Sequence, residues 1–172
     1  PLKRRENLVE ICAQNDLLVV ADEVYHFLNY SDDPPPPMGN WTGTCPLISL
    51  GSFSKILAPG LRLGWMHTNV GLIKKMTKSG LIDSGGGFNP FTSEIVNSFI
   101  CLGFLKVHIK HLKTVYGQRI KVFCDQLRMH LPKQAKFKIP KGGYFIWVKL
   151  PDNVDTQSLR QAAQKQNVDF NH

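Results

Sequence analysis

One stretch, Gly51 to Trp65, constrains this chain more than any other. It sets Lys55 among Ser52, Ser54 and Arg62 and interrupts the backbone at Pro59-Gly60. Ahead of it, Ile48-Ser49-Leu50 reads as the end of a short apolar strand. Behind it, Leu61-Arg62-Leu63-Gly64-Trp65-Met66 reads as another. Lys55 is therefore predicted on a turn between two buried elements, where a side chain can point into a cavity. A partly desolvated amine in such a place suits nucleophilic chemistry.

Two hydroxyls and a guanidinium beside that amine suit a phosphate, because arginine can bind phosphate oxygens with two parallel hydrogen bonds. A lysine and a phosphate cradle together suggest a Schiff-base cofactor that carries its own phosphate. Pyridoxal 5'-phosphate is the candidate.

The elements around this stretch indicate an α/β chain. Residues 3–15 carry Leu8, Val9, Ile11, Cys12 and Ala13 at amphipathic-helix spacing. Leu17-Leu18-Val19-Val20-Ala21 then reads as a buried parallel strand. Asp22-Glu23-Val24-Tyr25 stands at its carboxyl end, the edge where open α/β sheets bind ligands. Position alone leaves two roles open for the acid: a loop or capping carboxylate, or a carboxylate aimed at a cationic ligand atom. Residues 29–46 form a loop with four consecutive prolines, which favour an extended, stiff surface connection.

Further on, 70–79 reads as a short basic amphipathic helix. Ser84-Gly85-Gly86-Gly87 reads as a flexible connection, since it lacks the lysine and spacing of a phosphate-binding P-loop. Residues 91–131 form the longest helical pattern, too long for one globular helix. A break is expected near 106–111. His108 and His111 stand three apart there, but with no third ligand nearby they read as a solvated face. Phe137-Lys138-Ile139-Pro140, the Lys141-Gly142-Gly143 turn and the strand Tyr144 to Leu150 suggest a smaller α+β domain. It is followed by a helix from Asp155 to about Gln166.

Net charge is +8, but the basic residues are scattered and no nucleic-acid-binding signature accompanies them. No nucleic-acid partner is expected. No apolar run approaches the length of a membrane span, so no membrane partner is expected either. Cys12, Cys45, Cys101 and Cys124 show neither zinc nor disulfide spacing. Free thiols of a reducing compartment fit them, and no metal is expected. The opening Pro1-Leu2-Lys3 suggests that the chain begins inside a longer protein.

Three segments together resemble one family. Val19-Val20-Ala21-Asp22-Glu23-Val24-Tyr25 is similar to the strand-Asp-x-x-Tyr of the fold-type I, pyridoxal-phosphate-dependent class I/II aminotransferases. Ser52-Phe53-Ser54-Lys55 followed by Pro59-Gly60-Leu61-Arg62-Leu63-Gly64 resembles their Schiff-base lysine motif. Gly142-Gly143-Tyr144-Phe145-Ile146-Trp147 is similar to their small-domain strand. The nearest subgroup is the 2-aminoadipate and kynurenine aminotransferase-like enzymes.

The resemblance implies a partial three-layer α/β large domain over 1–105. Part of a small C-terminal domain, including the end of a long linking helix, would occupy 106–172. It implies amino-group transfer between an amino acid and a 2-oxo acid, with Lys55 as the catalytic Schiff-base residue. Asp22 would pair with the cofactor's ring nitrogen and Tyr25 with its phenolic oxygen. Ser52, Ser54 and Arg62 would hold its phosphate, and Gly143 would let backbone approach the substrate carboxylate. The family's usual homodimer is expected of the complete protein, in the cytoplasm or else in mitochondria.

The family's cofactor-stacking aromatic would lie before residue 1, and its substrate-carboxylate arginine after residue 172. The chain by itself is therefore expected to be inactive. A lyase of the same fold, or a regulatory domain without turnover, shares these motifs and stays open as an alternative.

Overall fold

Helix α1 (Leu2–Gln14) forms because Val9 and Cys12, three residues apart, share a face that can be buried. They pack with Met38, Cys45 and Leu47, and with Val19, Ala21 and Trp41 around the edge. Fully burying side chains of this kind contributes roughly 1.5–3 kcal/mol each. The Asn15 side-chain amide donates to Ile11 O at 2.8 Å, and Asp16 turns into the left-handed region (φ 50°). The helix stops there, and strand β1 (Val19–Asp22) begins.

The computed structural model describes residues 1–30, 34–83 and 88–171. The Ser84–Gly87 run and the acidic pair of the proline loop lie outside the described residues. Strand β1 runs parallel to β2 (Leu47–Ser52), with Val19 opposite Leu47 and Asp22 opposite Leu50. Strand β2 is antiparallel to β3 (Gly64–Thr68), with Gly51 opposite Trp65. The mixed sheet has the order β1-β2-β3.

The parallel pairing agrees with the sequence reading, but full burial of Leu17 to Ala21 does not. Val19 and Ala21 face the core, while Val20 on the opposite face is 58% exposed. Leu17 and Leu18 are also exposed. Only one face of this strand is covered among the described residues.

The proline loop ends extended, with Pro37 at φ −60° and ψ 152°. It is more than a surface connection, because the 3-10 turn that follows it (Met38–Trp41) buries Met38 and Gly39. Residues 53–62 hold a short helix, α2 (Phe53–Ile56), and a 3-10 turn, Pro59–Leu61. Strand β3 starts at Gly64 and not at Leu61, since Arg62 is left-handed at φ 49°, a conformation no strand can continue through.

Helix α3 (Val70–Thr77) begins where Asn69 Oδ1 accepts from Leu72 N at 2.9 Å. A short α4 (Gly80–Asp83) follows. The long helical pattern divides into α5 (Pro90–Cys101) and α6 (Phe104–His130). The break falls at Leu102-Gly103 and not at 106–111. Gly103 adopts φ 78° and its N–H donates to Ile100 O at 2.9 Å, a glycine-terminated helix end.

Two compact units result. One is Pro1–Gln118 with Lys141–Gly143; the other is Arg119–Pro140 with Tyr144–His172. In the second, Ile120 and Cys124 of α6 are buried, and burial raises the Cys124 thiol's pKa. Strand β4 (Lys136–Phe137) pairs antiparallel with β5 (Val148–Lys149). The predicted strand over 144–150 is thus only two residues long. Phe145 and Trp147 are 60% and 85% exposed, so most of the apolar surface that would stabilise a longer strand stays uncovered. Helix α7 (Thr156–Gln164) is capped by Asp155, which accepts from Gln157 N at 3.2 Å and Ser158 N at 3.1 Å. Arg160 grips Asp169 with two hydrogen bonds of 2.6 and 2.9 Å.

Candidate active site

The lysine loop is built by ordinary capping chemistry. Ser52 ends β2, and its Oγ accepts from Ser54 N at 3.2 Å, which starts α2 immediately after the strand. Lys55 stands in the last turn of that helix, half-buried. The chain then reverses at Pro59-Gly60 and brings Arg62 back. Arg62 Nη1 donates to Ser54 Oγ and to Pro59 O, each at 3.4 Å. Ser52, Ser54 and Arg62 thus converge beside the lysine, and the guanidinium is exposed enough to take a further anionic ligand.

Tyr25 lies in the turn after β1. Lys55 Nζ stands 5.9 Å above its ring centroid, within the range of a cation–π contact. Asp22 is exposed at the end of β1. It lines a cavity of about 420 Å³ with Val24, Leu50, Gly51 and Gly64. Gly51 and Gly64 also flank the lysine loop in the chain, so this cavity adjoins the loop. The structure therefore brings Lys55 to Tyr25 and Arg62 to Ser54. Asp22 faces the adjoining cavity.

One residue to which the sequence reading gave no role carries much of this arrangement. Glu23 points away from Asp22, to the core face. Its Oε1 accepts from Arg5 Nη1 at 2.5 Å. Its Oε2 accepts from Met38 N at 2.7 Å and from Ser49 Oγ at 2.8 Å. One carboxylate thus ties α1, β2 and the end of the proline loop to the turn that bears Asp22 and Tyr25. Strand alternation separates the two acids, because Asp22 continues the Val20 face and Glu23 the Ala21 face.

Val24, two residues past Asp22, lines the same cavity. His26, in the same turn, has its pKa lowered, chiefly by burial and secondarily by Arg5 and Lys113, against the opposing pull of Glu23. His111 is exposed and His108 half-buried. No metal-binding group of three or more such side chains occurs among the described residues.

The family model for "Aminotransferase class I and II" matches residues 1–169. This chain belongs to the class I and II aminotransferases. It is 33% identical to aromatic-amino-acid aminotransferase 1 of Thermococcus litoralis, over 98% of this chain and 40% of that protein. The kynurenine aminotransferase of Pyrococcus horikoshii, solved in complex with PMP, KYN as substrates and KYA as products, superposes with a TM-score of 0.89. It is 34% identical over 98% of this chain and 42% of that one. An uncharacterized HTH-type transcriptional regulator of Bacillus subtilis is 25% identical over 98% of this chain and 35% of that protein. The chain spans about two fifths of the length of the aminotransferases it matches. Its fold is the corresponding part of the fold-type I α/β architecture.

Proposed function

We propose that this chain is the lysine-bearing part of a pyridoxal-phosphate-dependent aminotransferase acting on an amino acid and a 2-oxo acid. The observation that carries the reading is the convergence of Ser52, Ser54 and Arg62 beside Lys55, whose amine lies over Tyr25. These residues fit the cofactor: two hydroxyls and a guanidinium for its phosphate, an amine for its aldehyde, and a carboxylate for its ring nitrogen. Bound there, pyridoxal phosphate supplies an aldehyde that condenses with amines and a cationic ring that withdraws electrons from the substrate α-carbon.

The remaining work falls to the chain's own side chains. Lys55 would hold the cofactor's aldehyde carbon through its amine and, once freed by the incoming amino group, would serve as the base for the substrate α-proton. Asp22 would stabilise a positive charge on the cofactor's ring nitrogen. Tyr25 offers a hydroxyl donor next to the lysine, and Arg62 with Ser54 would hold the phosphate. The kinship with an HTH-type regulator favours a second reading, a cofactor-binding domain without turnover. A homodimer in the cytoplasm belongs to the proposal as well.

The experiment is borohydride reduction in the presence of pyridoxal phosphate, followed by peptide mapping and a transamination assay of the complete protein. Label on Lys55 that is lost in Lys55→Ala, with turnover, supports the enzyme. Label without turnover favours the regulatory reading. Label confined to other lysines overturns both.

A further inference from the structure

Just past Tyr25, the chain is clipped to a segment from far along the sequence. Gly143 N donates to Leu28 O at 2.9 Å, and Tyr30 N donates to Lys141 O at 2.8 Å. Asn29 and Gly142 form an antiparallel bridge between these bonds. The Tyr30 hydroxyl then donates to the Gly143 carbonyl. Gly142 admits no side chain, since a Cβ there would stand 2.6 Å from Leu28 O and 3.1 Å from Asn29 Cα. Gly143 is buried at φ 70°, and a Cβ on it would stand 3.8 Å from the Tyr25 ring, the ring beneath the Lys55 amine.

We propose that Tyr30 is a positioning residue whose hydroxyl locks the Gly142-Gly143 backbone against the Asp22–Tyr25 turn and so sets the wall of the site that receives the amino-acid substrate. This rests on the pyridoxal-phosphate reading of Lys55. A one-step bridge is a weak attachment by itself, because few backbone bonds repay the ordering of a loop. The phenol adds a fixed point on a ring with only two rotatable bonds. It also decides what Gly143 presents. The Gly143 N–H is engaged by Leu28 and its carbonyl by Tyr30. The N–H is therefore not left for a ligand, and one of the carbonyl's two acceptor sites is taken. Gly143, with no side chain and its N–H engaged, forms a close steric wall beside Tyr25.

The test compares wild type with Tyr30→Phe in the complete holoprotein. Three readouts are taken: borohydride labelling of Lys55, steady-state kinetics, and amide hydrogen exchange at Gly143 and Tyr30. Tyr30→Phe keeps the ring and removes the donor, which leaves a buried carbonyl unpaired. The expected result is unchanged labelling and kcat within about twofold. KM for the amino donor should rise about tenfold, with exchange at Gly143 faster by a similar factor. Labelled Lys55 with unchanged KM and unchanged exchange overturns the role of Tyr30 and leaves the cofactor reading standing. An unlabelled Lys55 in wild type overturns the cofactor reading, and the substrate-wall role with it. Should Tyr30→Phe not fold, wild-type exchange decides: a Gly143 amide as unprotected as an open loop refutes the clip, and a protected one supports it.

Discussion

Replacing Glu23 with alanine removes one acceptor from three donors on three different elements. The magnitude follows from where each donor is left. Ser49 is only 6% exposed, and the Met38 amide lies in a buried turn. Each is stranded with poor access to water, at about 1–1.5 kcal/mol apiece. The Arg5 side chain is 26% exposed against 10% for Glu23, so its guanidinium can rehydrate, and that arm adds only about 0.5–1 kcal/mol. The sum is a loss of about 3 kcal/mol, a large fraction of an ordinary domain's stability. Glu23→Gln keeps one acceptor oxygen and the volume, and is expected to lose about half as much, roughly 1.5 kcal/mol.

Urea denaturation of wild type, Glu23→Ala, Glu23→Gln, Arg5→Ala and the double variant provides the assay. Arg5→Ala alone should cost well under half of what Glu23→Ala costs, because Glu23 would retain Met38 and Ser49. Equal losses for Arg5→Ala and Glu23→Ala would show that the ion pair carries the energy. A Glu23→Ala loss under about 1 kcal/mol would show that the buried amide and hydroxyl find other partners, which refutes the argument from stranded donors.

Two further outcomes follow from the packing around Gly51 and Tyr30. Gly51→Ala would place a Cβ 2.0 Å from the Trp65 ring, so the indole must move; thermal unfolding should show a loss of about 1–3 kcal/mol with a shifted tryptophan emission, and an unperturbed emission would contradict the close approach. Burial, with a smaller contribution from Tyr116, pushes the Tyr30 phenol up to about 12; its neutral form is favoured by folding, so this contribution to stability is intact below the unfolded tyrosine value near 10 and is lost as pH rises toward 12, and spectrophotometric titration should find a late-ionising tyrosine that Tyr30→Phe removes.

Much of the candidate site's local geometry was legible in the residues because its parts are local. Ser52, Ser54, Lys55 and Arg62 lie within one loop, and side-chain capping plus a Pro-Gly reversal suffices to gather them. The errors have a common cause. The strand over 144–150 and the burial of Val20 were inferred from apolar composition. Composition reports what a segment would gain from a partner and does not report whether the partner is there. The helix break was placed by length, whereas Gly103 sets it through a backbone dihedral.

Residue order alone settles the family and the α/β alternation, and it singles out Lys55 as the candidate reactive amine, since each rests on short-range spacing and on chemistry that few side chains can perform. Three things needed the folded chain. One is the antiparallel turn of β3 across β2. Another is the opposite facing of the neighbouring acids Asp22 and Glu23. The third is the meeting of Tyr30 with Gly143, at a sequence separation of 113. Contacts of that kind depend on which surfaces remain to be buried after the local elements have formed, and tertiary packing alone decides that.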